Sequence, residues 1–452
     1  MKATRIAVVG ALVAGSSLFA GAATAQADAA VGCGSTITAS TTLQADVGPC
    51  PPGDGLDITG SGIRLNLNGH QVIGSGVGGQ YAGLRLVNVS GDTVSGPGSV
   101  SGFDAGIVDY RGTRNTIQNL EAHDNADAQF VADHPLKGQF GDGIIIYGAS
   151  YDRVVHNSVH DNGPFSGITV LAETELRPGL PTTGSITGPA PMWNVIDGNN
   201  VSHNNVDDVC PTNSTDCPPG AGVYSEDIGI RIEGPAASHT TVSHNIASWN
   251  GRTGISPLNT FGKFSPPTAN IPPNTDTVIV ANDIEHDGIA TTIYDNDPSI
   301  GPVEGDGIFN RCYNGSPQKG CPVRTVISGN YVAHNTASGI DLQVSKGTTV
   351  VGNVSLFNNI DYTNTFVSQV NTSGPYDDGT DNNTDPACDS NVWLNNVLKT
   401  YSQPCVLFHP AGAAATGVSA PSAPRAASAA PASAEATGHE PTALPRGARQ
   451  AV

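Results

Sequence analysis

The chain is predicted to be all-β and to wind as a parallel β-solenoid with coils of about 24 residues. Three observations predict this. An Asn, followed one or two places on by Val, Ile or Leu and five places on by Asn or Asp, recurs at Asn119–Asp124, Asn157–Asn162, Asn199–Asn204, Asn245–Asn250, Asn282–Asp287, Asn330–Asn335 and Asn353–Asn358. A Gly-Ile pair opening a short apolar alternation recurs at Gly106-Ile107, Gly143-Ile144, Gly167-Ile168, Gly229-Ile230, Gly254-Ile255, Gly307-Ile308 and Gly339-Ile340. No amphipathic helical period of useful length interrupts these runs after the N-terminal leader.

Each coil is expected to hold two or three short strands. Alternate residues face inward, so Ile144/Ile146, Ile168/Val170, Ile230/Ile232 and Ile340/Leu342 stack in a dry interior. One coil cannot bury that face alone, whereas a stack of coils can. The recurring Asn suits a tight bend, because it tolerates left-handed φ and its amide can pair with the coil above. The recurring Gly marks a corner. His123, His203, Trp249, His286 and His334 stand just before the closing Asn or Asp and are read as a ladder stacked on a turn. A metal site is the lesser reading, since one imidazole per coil lacks a compact ligand spacing.

Composition fits this reading. The 55 Gly and 32 Pro with 6% aromatic residues suit many turns rather than a helical globule. The net charge of −20, from 20 basic and 40 acidic residues, argues against nucleic acid and anionic membranes as partners. It also disfavours bare polyuronates unless Ca²⁺ or a local basic patch intervenes.

Lys2 and Arg5 precede an apolar run from Ile6 to Ala14, and small residues around Ala23-Thr24-Ala25 and Ala25-Gln26-Ala27 offer a cleavage site. Residues 1–27 therefore read as a secretion signal, and the mature protein is expected to be extracellular and monomeric. No later segment is apolar enough to span a bilayer. The eight Cys fall into neighbouring couples, Cys33/Cys50, Cys210/Cys217, Cys312/Cys321 and Cys388/Cys405, each enclosing a Pro/Gly-rich loop. Disulfides within the couples are expected, pinning loops and the ends of the coil. Residues 31–82 read as an N-terminal cap and first coils, 83–360 as regular coils, and 361–410 as a closing region. Residues 411–452, rich in Ala, Pro and Ser, are expected to be disordered.

The phrase Gly62-Ile63-Arg64-Leu65-Asn66-Leu67-Asn68-Gly69-His70, followed by the Gly-Ile and Asn coils, resembles the secreted bacterial right-handed parallel β-helix repeat proteins of the pectate-lyase-like superfamily. The resemblance covers most of residues 33–405. It implies a right-handed β-helix. It leaves activity open among lyases, hydrolases, epimerases and non-catalytic binders.

The insertions locate a candidate site. Residues 172–192, 257–275 and 311–322 follow a Gly-Ile strand, whereas 126–141, 207–226 and 288–305 precede one. Two walls of loops over one sheet make a trough along the axis. Residues at Gly+2 and Gly+4 should form its floor: Arg85, Val87, Val108, Tyr110, Ile145, Tyr147, Thr169, Leu171, Arg231, Glu233, Phe309, Arg311, Asp341 and Gln343. Of these, Arg85, Tyr110, Glu233, Arg311, Asp341 and Gln343 are the candidate substrate contacts, with flat rings for sugar faces and charged groups for hydroxyls and uronates. Asp142 and Asp306 lie in Gly-Asp-Gly corners just before the strand and are further candidate catalytic residues.

The resemblance implies, for a hydrolase, an ordered series Asn-Thr-Asp, Asp-Asp, Gly-His-Gly and Arg-Ile-Lys. Only Asn274-Thr275-Asp276 matches, which argues against a galacturonase-like enzyme. A lyase or epimerase needs a base for the sugar C5 proton and a cation for the uronate. Arg231 with Tyr147 is the leading acid/base set. His134 stands behind it, in an Asp133-His134-Pro135 run similar to the Asp-Pro-His of alginate epimerases but in altered order. Asp377, Asp378, Asp381 and Asp385 crowd one segment and are candidate Ca²⁺ ligands, with Asp295-Asn296-Asp297 a smaller cluster. The expected function is binding, with cleavage or epimerisation, of an extracellular polysaccharide; the alternative is a non-catalytic adhesin-like or accessory binding protein.

Overall fold

A computed structural model describes residues 31–75, 81–125, 141–163, 165–172, 188–204, 228–259, 272–288, 305–312, 320–343, 345–358, 379–381, 390–401 and 406. The strands among them form three sheets of eleven, eleven and ten strands, and every pairing is parallel between one coil and the next. The fold is a parallel β-helix. Each full coil visits sheet A, then B, then C. The regular strands of sheet A are Ala82–Val87, Ala105–Tyr110, Ile144–Tyr147, Ser166–Leu171, Ile228–Glu233, Thr253–Asn259, Ile308–Cys312 and Ile340–Gln343. Ile107, Ile144, Ile168, Ile230, Ile255, Ile308 and Ile340 are register partners in succession, so the Gly-Ile repeat is the repeat of sheet A.

Inward residues stack into one core. On sheet A these are the isoleucines just named; on sheet B they run Leu65, Val94, Ile117, Val154, Ile196, Val242, Ile279, Ile327, Val350 and Trp393. All are essentially inaccessible to solvent. Each such side chain contributes about 1.5–3 kcal/mol by leaving water, and none could do so in an isolated coil. Gly143 shows why the corner before Ile144 is glycine. A Cβ there would lie 2.4 Å from Val159 Cγ1 and 2.8 Å from Asn162 Nδ2. A Cβ at that corner would have no room.

The Asn repeat works differently from the expectation. The left-handed residue of the bend is the one before the Asn: His156 (φ 56°), Gly198 (67°), His244 (54°), Ala281 (56°) and Gly329 (61°) precede Asn157, Asn199, Asn245, Asn282 and Asn330. The Asn itself supplies only the amide ladder. Each backbone N–H donates to the Oδ1 of the Asn in the following coil at 2.9 Å, through Asn157, Asn199, Asn245, Asn282, Asn330, Asn353 and Asn396. Each Nδ2 donates to that same Oδ1 and to a carbonyl of the coil before, as Asn245 does to Ile196 O at 2.9 Å. A second ladder runs through Asn125, Asn162, Asn204, Asn250, Asp287, Asn335 and Asn358. The Asn119–Asp124 repeat is out of register by one. Leu120 and Asn125 hold its ladder positions, while Asn119 and Asp124 are the left-handed residues.

A third ladder was not foreseen. At the entry to sheet B, Ile63 N–H donates to Asp92 Oδ1, Asp92 N–H to Asn115, Asn115 N–H to Asp152 and Asp152 N–H to Asn194. The aromatic ladder is present: His203, Trp249, His286, His334 and Phe357 follow one another with ring centroids 6.3, 4.4, 5.2 and 5.6 Å apart. His123 stacks on His160 one column away, at 5.4 Å. Among the described residues no His, Cys, Asp and Glu group is placed to hold a metal ion.

Cys33 and Cys50 are joined, with Cα atoms 5.4 Å apart, pinning the first coil. Cys321 is also in a disulfide. Cys210, Cys217, Cys388, Cys405 and the Cys312 side chain lie outside the described residues.

Candidate functional site

Beyond the first coils, variation in coil length falls beside sheet A. From Gln118 onward the step from sheet B to sheet C is two residues, as in Val155 to Ser158, Asp197 to Asn200, Ser243 to Ile246 and Val280 to Asp283, whereas the turns from Asn66 to Gln71 and from Ser95 to Ser99 are longer. The long steps run into or out of sheet A: His123 to Ile144, Leu171 to Val195, Ser202 to Ile228, Asn259 to Val278, Glu285 to Ile308 and Leu356 to Gly379. Two-residue turns sealed by Asn ladders leave no room for insertion between sheets B and C. The open corners on either side of sheet A do.

The outer face of sheet A carries chemistry in a definite order along the axis. Near the N-terminal end Arg85 pairs with Asp54 at 2.8 Å, and Asp57 is the register partner of Arg85. Next, Ala82, Ala105, Val108 and Ile145 form an apolar cluster separate from the core, with Tyr110 and Tyr147 packed on it. The two rings, register partners in adjacent strands, lie 5.6 Å apart and tilted. This cluster establishes that Gly+2 and Gly+4 side chains face outward, opposite Ile144 and Ile146. Further along, Arg231 forms an ion pair with Glu233, both almost inaccessible, and its guanidinium lies 5.9 Å from the Phe165 ring centre.

The two Gly-Asp-Gly corners are equivalent and differ in one informative way. Asp142 stands one residue before Gly143, and its carboxylate accepts a hydrogen bond from Thr169 Oγ1, the Gly+2 residue of the next coil. Asp306 stands one residue before Gly307, and the Gly+2 residue of its next coil is Asp341. A carboxyl thus replaces the hydroxyl donor. Asp306 and Asp341 are 2% and 3% exposed, so neither charge is relieved by water. Burial pushes the Asp306 carboxyl well above the usual carboxylate range, and the negative charge of Asp341 pushes it further. The Ser338 N–H, which donates to Asp306 Oδ1 at 2.9 Å, and the Arg252 guanidinium only partly oppose this. The result is a buried carboxyl pair in which the neutral form of Asp306 is favoured, with the Arg252 cation opposing it.

Tyr147 and Arg231 are not brought together. The Ser166–Leu171 strand lies between theirs, and Leu171 links Tyr147 to Glu233 in register. Asn274-Thr275-Asp276 does not join the outer-face groups: Asn274 Nδ2 donates to Ile232 O of the sheet A strand Ile228–Glu233, and Asp276 is held by Arg324 on the turn before sheet B. His134, Asp377, Asp378, Asp385 and Asp295-Asn296-Asp297 lie outside the described residues, as do the side chains of Arg311, Gln343 and Asp381. Sequence reasoning missed Arg252. Its signal was its place two residues before Gly254, one coil below a Gly-Asp-Gly corner.

Fold and face together define a parallel β-helix with one chemically furnished, loop-flanked sheet. Among solved structures the chain is similar to the Dettilon tailspike protein, at 14% identity and TM-score 0.44, covering 76% of this chain and 52% of the tailspike chain. It is similar to an alginate lyase from Paenibacillus sp. str. FPU-7, at 15% identity and TM-score 0.41, covering 73% of this chain and 94% of the lyase. It is also similar to the pectate lyase Pel9A, at 15% identity and TM-score 0.34, covering 86% and 73%. The chain spans about half the length of the tailspike chain it matches. No family model matches the chain, and no curated protein matches it.

Proposed function

We propose that the protein binds an extracellular polysaccharide along the outer face of sheet A and cleaves it by acid/base catalysis at the Asp306–Asp341 pair. The observation that carries this is the substitution of Asp341 for the hydroxyl donor that Thr169 supplies to Asp142. Two buried carboxyls of adjoining coils that repel each other ionise together only at a cost, which favours one protonated and one charged. That is the division of labour glycosidic cleavage needs. The protonated carboxyl gives its proton to the leaving glycosidic oxygen, and the carboxylate takes one from the attacking water. Arg252 keeps the charged form from being lost altogether. The Tyr110–Tyr147 rings supply flat apolar surface for sugar faces on the same sheet.

The test is turnover. A panel of soluble polysaccharides is incubated with the full chain, and new reducing ends are separated by chromatography. Asp306→Asn and Asp341→Asn are each expected to lower kcat by on the order of 10²–10⁴ with unchanged circular dichroism. Tyr331→Ala, on the exposed face of sheet C, should leave kcat within a factor of about two. Turnover that survives both Asn substitutions, or retention of a polymer with no turnover, would contradict the assignment.

A further inference from the structure

We infer that the outer face of sheet B in its first coils is a second carbohydrate surface, which holds a carboxylate-bearing polysaccharide through Arg64, Arg114 and Arg153. The inference is independent of the sheet A reading, since it concerns another sheet and other residues. Four strands carry it: Arg64–Asn66, Thr93–Ser95, Thr116–Gln118 and Arg153–Val155. Arg64, Thr93, Thr116 and Arg153 are register partners in succession and face outward, opposite the core residues Leu65, Val94, Ile117 and Val154. The turns that lead into these strands (59–63, 88–92, 111–115 and 148–152) and those that leave them (67–70, 96–98, 119–120 and 156–157) all lie within the described residues. Apart from histidines, the charged residues of these strands and turns are Arg64, Arg111, Arg114, Arg153, Asp92 and Asp152. The two acids belong to the third ladder and are 1% and 2% exposed, and burial raises both above the usual carboxylate range. Arg64, Arg114 and Arg153 are exposed, and among the described residues none of the three forms an ion pair. At the margins, Asp46 is matched by His70 at 3.2 Å and Asp197 by His244 at 2.9 Å.

A chain of net charge −20 thus carries an unmatched positive strip. Its chemistry picks the partner. Guanidinium groups bind carboxylates through paired N–H donors. Arg114 is braced for this by Tyr151, its guanidinium carbon 5.3 Å from the centre of that ring. Tyr151 is 45% exposed, two residues before Arg153, and offers apolar surface to a sugar ring. Arg64 and Arg153 stand three strand spacings apart, about 14 Å, so one small anion cannot reach both and a polymer can. Between them Asn66, Thr93, Ser95, Thr116 and Gln118 present hydroxyls and amides, which pair with sugar hydroxyls as donors and acceptors. A nucleic acid would engage the same guanidiniums, but the rest of the chain repels its dense charge, and DNA brings no hydroxyls to that row.

The experiment titrates the full chain with polygalacturonate, alginate and single-stranded DNA by calorimetry, in EDTA, at about 20 mM and about 200 mM salt. At the lower salt at least one polyuronate is expected to bind, with DNA about tenfold weaker; the higher salt should weaken the polyuronate about tenfold. Arg64→Gln, Arg114→Gln and Arg153→Gln should each weaken polyuronate binding about threefold, and the triple variant about thirtyfold. Arg324→Gln removes the same charge outside the strip, from a guanidinium paired with Asp276, and should change binding by less than about twofold. Asp306→Asn, on sheet A, should likewise change it by less than about twofold. A triple variant that binds as tightly as wild type, an equal loss in Arg324→Gln or Asp306→Asn, DNA bound more tightly than either polyuronate, or no polyuronate bound at low salt would each overturn the inference. The Asp306–Asp341 assignment is decided by turnover and stands or falls separately.

Discussion

Asp152→Asn is expected to stabilise the folded chain at pH 8 by about 3–5 kcal/mol and to leave it nearly unchanged at pH 4. Asp152 sits in the third ladder, 2% exposed, with its Oδ1 accepting from Asn115 N–H at 2.7 Å and its Oδ2 without a hydrogen-bond partner. Burial raises its pKa to about 8, helped by the charge of Asp109. Asp109 points into the core between Leu86 and Ile146, and burial raises it to about 7. Asn115 Nδ2 donates to Asp109 at 2.9 Å, which opposes that rise, and Asp92 sits in the same corner. In the unfolded chain these carboxyls ionise near pH 4. Between pH 4 and the raised values the folded state binds more protons than the unfolded state. Stability therefore falls as pH rises through that window and levels off above it. An Asn at 152 keeps both backbone bonds and adds the donor that Asn194 directs to Ala149 O at 3.0 Å in the next coil. Urea unfolding of wild type and variant at pH 4, 6 and 8 measures this. A wild-type stability that rises from pH 5 to pH 8, or an Asn variant with the same pH slope, would contradict it. Asp287→Asn, which restores an amide to the second ladder, should act in the same direction, because full burial holds Asp287 well above the usual carboxylate range.

The second large effect is expected from Asn245→Ala, at about 3–5 kcal/mol of lost stability. Asn245 Oδ1 accepts both Asn199 N–H and Asn199 Nδ2 at 2.9 Å, and its own Nδ2 reaches Ile196 O at 2.9 Å and Asn282 Oδ1 at 3.0 Å. Alanine strands the Asn199 N–H in the interior, where an unmade bond costs far more than a made one contributes. Asn245→Asp separates donor loss from acceptor loss. It keeps the acceptor, so it should be milder than alanine at pH 4, where the carboxyl is protonated, and worse than at pH 4 once the pH reaches 8. Chemical denaturation with both variants at both pH values reads this out; equal loss at the two pH values would mean that the amide donor is irrelevant.

Much of the scaffold was legible because it is repetitive. Gly-Ile recurs at the sheet A corner from Gly106-Ile107 to Gly339-Ile340, and the inward column from Ile107 to Ile340 follows at once. The Asn was recognised but half misassigned. Asn tolerates left-handed φ, yet here the strain falls on the preceding residue, which is Asn at 119 and 395 but otherwise His, Gly or Ala, so composition at the bend hides the geometry. The slip at Asn119 has the same origin: Leu120 replaces the ladder Asn, and the neighbouring Asn119 mimics it. The third ladder mixes Asp92, Asn115, Asp152 and Asn194, and no single letter marks it. Within the site, Asp306 and Asp341 each stood out in the sequence, one as a corner acid and the other as a floor residue. Their partnership did not, because it depends on inter-coil register across a long insertion. The pairing of Arg231 with Glu233 was hidden for a simpler reason: both were read as facing a substrate rather than each other.

The most direct test of the sheet A site is the crystal structure of the full chain soaked with an oligosaccharide of the polymer it retains. Sugar rings are expected along the outer face of Ala105–Tyr110, Ile144–Tyr147, Ser166–Leu171, Ile228–Glu233 and Ile308–Cys312, with a glycosidic oxygen in hydrogen-bond reach of Asp306 or Asp341. Sugar bound instead on sheet B or sheet C, with sheet A bare, would contradict the account.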